Sequence, residues 1–229
     1  MAHNKYVSFV PDKVFLSCIG KVCNAYANVK TLTDKDLNKN VIDPFKLIFD
    51  LLNKDITLIR WKQEEKLRQA DKTINNEIGY FHQHLLGSVK GWEDLNIGGE
   101  ADIKKKDNSI FIQLKNKFNG VNADSLKNTK LRLFELSKRY PNANMYLAFL
   151  IGRSGSSGER PLKINGKIYP NIKEVWGKKV YELVTGTQDS LEEVWVALPV
   201  ALNFVLAKNR KISKMEKVEL VEYFKKAFK

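Results

Sequence analysis

A chain of 229 residues, 43% hydrophobic and 28% charged, has the size and make-up of one well-cored soluble domain, with or without a small appendage. Thirty-nine basic against 26 acidic side chains leave a net charge of +13, which favours a polyanionic partner because each phosphate neutralised by Lys or Arg releases condensed counterions. Several classes are set aside: no stretch approaches the roughly 18 apolar residues of a membrane span, the N-terminal MAHNKYVSFV has no signal-peptide core, and Cys18 and Cys23 lack zinc-site spacing, so a cytoplasmic protein without a membrane partner is expected. Residues 12–28 carry Val14, Phe15, Cys18, Ile19, Val22 and Tyr26 at three- and four-residue spacing, which predicts a helix. Asp43-Pro44 places an N-cap before a proline at the first helical position and opens a short helix through Leu52. A longer helix is predicted over 57–86, with Leu67, Ala70, Ile74, Ile78, Phe81 and Leu85 on one face and Gly87 to end it. Beyond it, Glu100 to Ile103 and Ser109 to Lys115 are predicted as two strands joined by a Lys-rich turn at 104–109. A helix at 124–139, a strand at Asn144–Ile151, a Gly/Ser loop from Arg153 to Arg160, a strand at 179–185 and helices at 189–207 and 213–228 complete the chain. The order implies an α/β fold with a mixed central sheet flanked by helices. One domain over 1–229 is expected, with a possible helical N-terminal subdomain at about 1–56.

The segment GGEADIKKKDNSIFIQLKNK, residues 98–117, carries the chemistry. Strand alternation puts Ile110, Ile112 and Leu114 on one face and Phe111, Gln113 and Lys115 on the other. If the two strands form a hairpin, Asp102 shares the end of the sheet at which Gln113 and Lys115 stand. A carboxylate there holds a hard divalent cation, and a lysine ammonium beside it serves the attacking water and a scissile phosphate, the combination phosphodiester hydrolysis requires.

This arrangement resembles the PD-(D/E)XK nuclease motif, with Ala101-Asp102 as its first half and Gln113-Leu114-Lys115 as its second. The runs NNEIGYFHQHLLGSVKGWEDL, QLKNKFN and YELVTGTQDSLEEVWVALP are together similar to type II restriction endonucleases that cleave GGNCC-type sites, over roughly residues 70–205. The resemblance implies a restriction-endonuclease-like core, Mg²⁺ as cofactor, Asp102 as a metal ligand and Lys115 as the catalytic lysine. It also suggests Glu77, on the helix before the hairpin, as an acid near the metal, with Glu100 a weaker candidate. At position 113 the chain departs from the pattern: an amide stands where an acid is usual, and it supplies no negative charge to the cation. Three explanations fit, namely a natural variant compensated by Glu77 or Glu100, a substitution made to trap an uncut complex, and a degenerate nuclease that only binds.

Lys104, Lys105, Lys106, Lys117, Lys127 and Lys130 lie close in sequence to this centre and are candidates for phosphate contact. Arg153 and Arg160 are candidates for reading guanine edges in a G·C-rich target. Asn119, Asn122 and Ser125 either reach a groove or cap the following helix. His82 and His84, two apart on a helix, point to different sides and make a poor metal pair, and Trp176 and Trp195 are expected in the core. The expectation is a homodimer acting on double-stranded DNA at a short palindrome, since a twofold protein matches a twofold site. The alternatives are a structure-selective or repair nuclease of the same fold and a non-catalytic DNA-binding protein.

Overall fold

The computed structural model describes residues 4–228 apart from Thr31, Asn38, Asn40, Ile97 and Ser154. The chain separates into two compact units, one built from residues 1–19 with 79–229 and the other from residues 20–78. In chain order the helices are α1 (Asp12–Val29), α2 (Asp34–Leu37), α3 (Pro44–Lys54), α4 (Leu58–Gly87), α5 (Ala123–Arg139), α6 (Lys178–Thr185), α7 (Ser190–Val205) and α8 (Lys214–Ala227). The strands are β1 (Trp92–Asp94), β2 (Ile103–Lys105), β3 (Ile110–Lys117), β4 (Asn144–Ile151), β5 (Gly158–Ile164) and β6 (Lys167–Trp176). Among the described residues no helix is long and apolar enough to cross a membrane.

The unit of 20–78 is helical. Asp43 caps α3 as expected, its carboxylate accepting from the backbone N–H groups of Phe45 and Lys46, and Asp55 closes the helix in a left-handed conformation. Within this unit Asp50 accepts a hydrogen bond from the Trp61 indole at 3.1 Å, which ties α3 to the start of α4.

The other unit is built on a mixed six-stranded sheet in the order β1-β2-β3-β4-β6-β5. β3, β4 and β6 run parallel; β1 and β2 at one edge and β5 at the other run antiparallel to their neighbours. β4, NMYLAFLI, is apolar at almost every position because a central parallel strand is covered on both faces, and residues 145–150 are all buried. On one face Phe111, Met145, Leu147, Phe149 and Ile172 form a cluster with Leu133 and Leu136 of α5, the helix that makes the crossover from β3 to β4. Against β4, β5 and β6 also packs α6, whose buried Val180, Tyr181 and Val184 stand outside that cluster.

Three expectations are corrected. Residues 179–185 form a helix instead of a strand. Val180, Tyr181 and Val184 suit a strand by type, but their one- and four-residue spacing makes a single buried helix face, and Gly186 (φ 76°) supplies the left-handed cap. The first strand of the catalytic hairpin lies at Ile103–Lys105, later than expected, and the turn is confined to 106–109 with Asn108 in the left-handed region. Backbone pairing with β3 ends at residue 102, whose N–H still bonds the Ile112 carbonyl at 3.1 Å, and the next donor on β3, the Leu114 N–H, goes to the Asp102 carboxylate at 2.6 Å. The expected loop at 153–160 includes Ser154, outside the described residues, and its end is already strand. Arg160 sits in β5, which turns into β6 through Asn165-Gly166, both at positive φ (48° and 83°), the geometry of a two-residue hairpin that matches strand twist.

Candidate active site

The β2–β3 hairpin pairs Ile103 with Ile112, and Asp102 donates its N–H to the Ile112 carbonyl at 3.1 Å, so Asp102 stands opposite Gln113. One carboxylate oxygen, Oδ2, accepts both the Leu114 N–H and the Gln113 amide nitrogen. The other, Oδ1, accepts no hydrogen bond among the described residues. Lys115 is two residues beyond Gln113 on the same strand face and half-buried. Burial, with some help from the charge of Asp94, pushes the Asp102 carboxyl above its ordinary value; the Leu114 N–H, the Lys115 ammonium and the Gln113 amide act the other way. The three residues singled out in the sequence are therefore brought together.

Three further residues join them that the sequence did not suggest as a group. Gln83, a buried polar residue of α4, donates its amide to Asp94 Oδ1 at 2.8 Å and to the Asp102 backbone carbonyl at 3.4 Å. Asp94 ends β1 and also accepts from the His84 ring and from the Asn96 N–H at 2.9 Å. Burial raises the Asp94 carboxyl, but the hydrogen bonds from His84, Asn96 and Gln83 outweigh it and hold the group below its ordinary value. The nearest signal in the sequence is GWEDL, one of the segments that carry the family resemblance. His82 points elsewhere, as its spacing predicts: its Nδ1 lies 2.6 Å from the Tyr181 hydroxyl, and burial lowers its pKa to about 4.

The donor set suits a hard cation in kind, since a carboxylate oxygen and an amide carbonyl are both oxygen ligands. It is short of charge: among the described residues no group of three or more His, Cys, Asp or Glu gathers in metal-binding geometry. Glu100 is engaged elsewhere, by Arg139 and, at 3.4 Å, by the Tyr140 hydroxyl. Glu77 is half-buried on the part of α4 that belongs to the helical unit.

The candidate DNA contacts divide by position. Lys117, exposed at the end of β3, and Asn119, exposed in the 3-10 turn that follows, lie at the carboxyl end of the parallel strands, the usual place for a ligand in an open α/β sheet. Lys117 pairs in register with Ile151 at the end of β4, and two residues on Arg153 stacks over the Phe118 ring at 3.8 Å. Arg160 is held by Glu174 at 3.0 Å across the β5–β6 pair and lies 5.6 Å from the Trp176 ring. With Arg153, Phe118, Phe149 and Trp176 it lines a small concavity. Asn122 is the N-cap of α5, accepting the Ser125 N–H at 2.7 Å. Lys104 and Lys105 are level with the beginning of β3, on the order of 13 Å or more along the strand from Lys115. They are occupied locally, Lys104 by Asn108 at 2.9 Å and Lys105 by Asp107 at 3.6 Å.

Comparison with known proteins gives a consistent result. The family described as Eco47II restriction endonuclease matches residues 7–207. The chain is similar to the type II restriction enzyme Sau96I of Staphylococcus aureus, 30% identical over 211 residues covering 87% of this chain and 81% of that enzyme. It is likewise similar to the type II restriction enzyme Eco47II of Escherichia coli, 30% identical over 236 residues covering 97% of this chain and 98% of that enzyme.

Proposed function

This chain belongs to the Eco47II restriction endonuclease family, and we propose that it hydrolyses double-stranded DNA at a short G·C-rich palindrome of the GGNCC type, with Asp102, Gln113 and Lys115 at its centre. Its family is that of site-specific DNA endonucleases, which favours that activity over a structure-selective nuclease, and the cleavage test below decides whether Gln113 weakens it to binding. The observation that carries the residue assignment is the meeting of Asp102 with Gln113 and the Leu114 N–H, with Lys115 two residues further along the strand.

Asp102 through Oδ1 and Gln113 through its carbonyl are the residues that would hold Mg²⁺. When bound, the ion neutralises charge on the scissile phosphate and lowers the pKa of a coordinated water. The Lys115 ammonium orients the attacking water and offsets the negative charge that grows on the phosphate as the P–O bond breaks. The Leu114 N–H and the Gln113 amide fix the Asp102 carboxylate through Oδ2, and Oδ1 accepts no hydrogen bond among the described residues. Lys117, Asn119 and Arg153, at the same end of the sheet, bind the DNA backbone or read bases. Arg160, already paired with Glu174, contributes from the rim together with Ser125, whereas Lys104 and Lys105 contact DNA only remotely from the scissile bond.

Two copies act as a homodimer, one centre per strand, because a twofold assembly matches a palindromic site. Action in the cytoplasm fits the cysteine-poor composition. The test is to digest long duplex DNA with this chain and with Gln113→Glu in Mg²⁺. Discrete fragments from either form support the reading. If the present chain fails and Gln113→Glu cuts, Gln113 is an inactivating residue; if neither cuts any duplex, the assignment of Asp102 and Lys115 falls.

A further inference from the structure

α3 has a wide apolar arc opposite a side that carries Lys46, Asp50 and Lys54. Leu47 and Leu51 are half-buried, while Phe45, Ile48, Phe49 and Leu52 are 75, 57, 68 and 77% exposed, and no residue of the helix is fully buried. Positions 45, 48, 49 and 52 form one continuous stripe at three- and four-residue spacing. Its outward direction is fixed from the opposite side by the bond from the Trp61 indole to Asp50 and by Lys54, 3.2 Å from Glu64. An amphipathic helix buries its apolar stripe and leaves its polar side in water, so this stripe calls for a cover.

We propose that the cover is the same stripe of a second copy, and that α3 is the surface through which the homodimer inferred above assembles. The proposal rests on that dimeric reading and adds where the copies meet. Area supports it: Phe45 and Phe49 alone expose roughly 200–350 Å² per chain, taking about 150–250 Å² for an aromatic side chain, and Ile48 and Leu52 extend that apolar surface. A standard interface takes about 800 Å² from each partner. Charge supports it as well. Two copies of a +13 chain repel through most of their surface, but the charges on α3 are matched within the chain, Lys46 by Asp50 and Lys54 by Asp50 and Glu64. The other large exposed apolar surface, on α7 and α8, carries charges of both signs, Arg210 beside Glu216 and Lys225 beside Glu222, and serves as the control surface in the experiment. Finally, three- and four-residue ridges of one helix fit the grooves of an identical helix related by a twofold axis, with Phe45 and Phe49 as aromatic anchors.

The experiment is sedimentation of the full chain at micromolar concentration. The unaltered chain should run as a dimer. Phe45→Asp with Phe49→Asp should run as a monomer, its dissociation constant raised about 100-fold or more, and Phe49→Ser should shift it the same way by less. Because these side chains lack packing in the single chain, circular dichroism and melting temperature should be unchanged, which separates loss of assembly from loss of fold. Phe204→Glu on α7 should leave the dimer intact. A monomeric parent chain, a dimer that survives the double substitution, or a dimer split by Phe204→Glu would each overturn the proposal. So would a monomeric parent that co-floats with phosphatidylglycerol vesicles through α3, which would give the stripe to a lipid surface. DNA digestion alongside keeps the two readings apart: a dimer that needs α3 yet never cuts DNA leaves the interface standing, and a monomer that cuts site-specifically leaves only the nuclease.

Discussion

At position 113 a neutral amide donates to the carboxylate that faces it, and this shapes the centre before any cation arrives. An acid in its place would oppose Asp102 with like charge across the hairpin, in a site where burial already penalises the carboxylate. Gln113→Glu should therefore lower the stability of the metal-free chain by about 1–2 kcal/mol, the cost of exchanging a charge-assisted hydrogen bond for a repulsive pair. Added Mg²⁺ should reverse the loss and bind roughly tenfold or more tightly than it does to the present chain, since a second charged ligand favours a hard cation. Thermal melts with and without Mg²⁺ decide this, and a Gln113→Glu melt unaffected by Mg²⁺ counts against a metal site at 102 and 113. Lys115 faces a different test. Lys115→Ala should reduce cleavage by about 100-fold or more while sparing site-specific binding in Ca²⁺, because the ammonium acts where charge develops in the transition state; unchanged cleavage removes it from the mechanism. These three positions were legible in the sequence because strand alternation and one hairpin can join them and the flanking segments resemble a nuclease family. Gln83, His84 and Asp94 were not. They come from a helix, a three-residue strand too short to show a period, and a register that only the folded sheet determines.

Between elements, the contact of His82 on α4 with Tyr181 on α6 is a buried polar joint, and both groups are kept neutral by burial, the imidazole with its pKa lowered to about 4 and the phenol with its pKa raised. Sign follows from linkage. In the unfolded chain His82 takes a proton near its ordinary value of 6.5, whereas in the folded chain it resists protonation down to about 4. Its contribution to stability is thus fully present above pH 6.5 and is lost as pH falls from there towards 4, by about 3 kcal/mol at most. His82→Gln keeps a hydrogen-bonding partner for Tyr181 and removes the titration, so its melting temperature should fall less over that window than the parent's. Equal slopes would show that His82 does not titrate on unfolding. The same joint shows where the sequence misled at this scale. The run KVYELVT is strand-like by residue type, and tertiary packing between Gly177 and Gly186 overrides that preference. The Asn165-Gly166 turn was a local signal for the β5–β6 hairpin, obscured by the polar and proline-containing text around it. By contrast α1, α3, α4 and α5 were readable from a long period or an explicit cap, and β4 from a continuous apolar run.

For the whole molecule the governing quantity is +13, and its distribution decides how DNA is held. Total charge predicts steep salt dependence: about six to ten phosphate contacts cost on the order of 10³–10⁵ in affinity between 50 and 200 mM salt. Composition cannot say which lysines make those contacts, since Lys104, Lys105 and Lys117 look alike along the chain. The sheet separates them. Lys117 stands at the carboxyl ends of the parallel strands beside Lys115, with Arg153 two residues beyond the neighbouring β4, while Lys104 and Lys105 stand at the opposite end with local partners. If the functional end is the carboxyl end, Lys117→Ala and Arg153→Ala should each lower the slope of log affinity against log salt by about 1. Lys104→Ala and Lys105→Ala should leave it nearly unchanged. Binding titrations over a salt series in Ca²⁺ measure all four without requiring cleavage. The reverse pattern, with the slope falling only for Lys104 and Lys105, would place the duplex along the β1–β2 edge and detach it from the end of the sheet where Asp102, Gln113 and Lys115 meet.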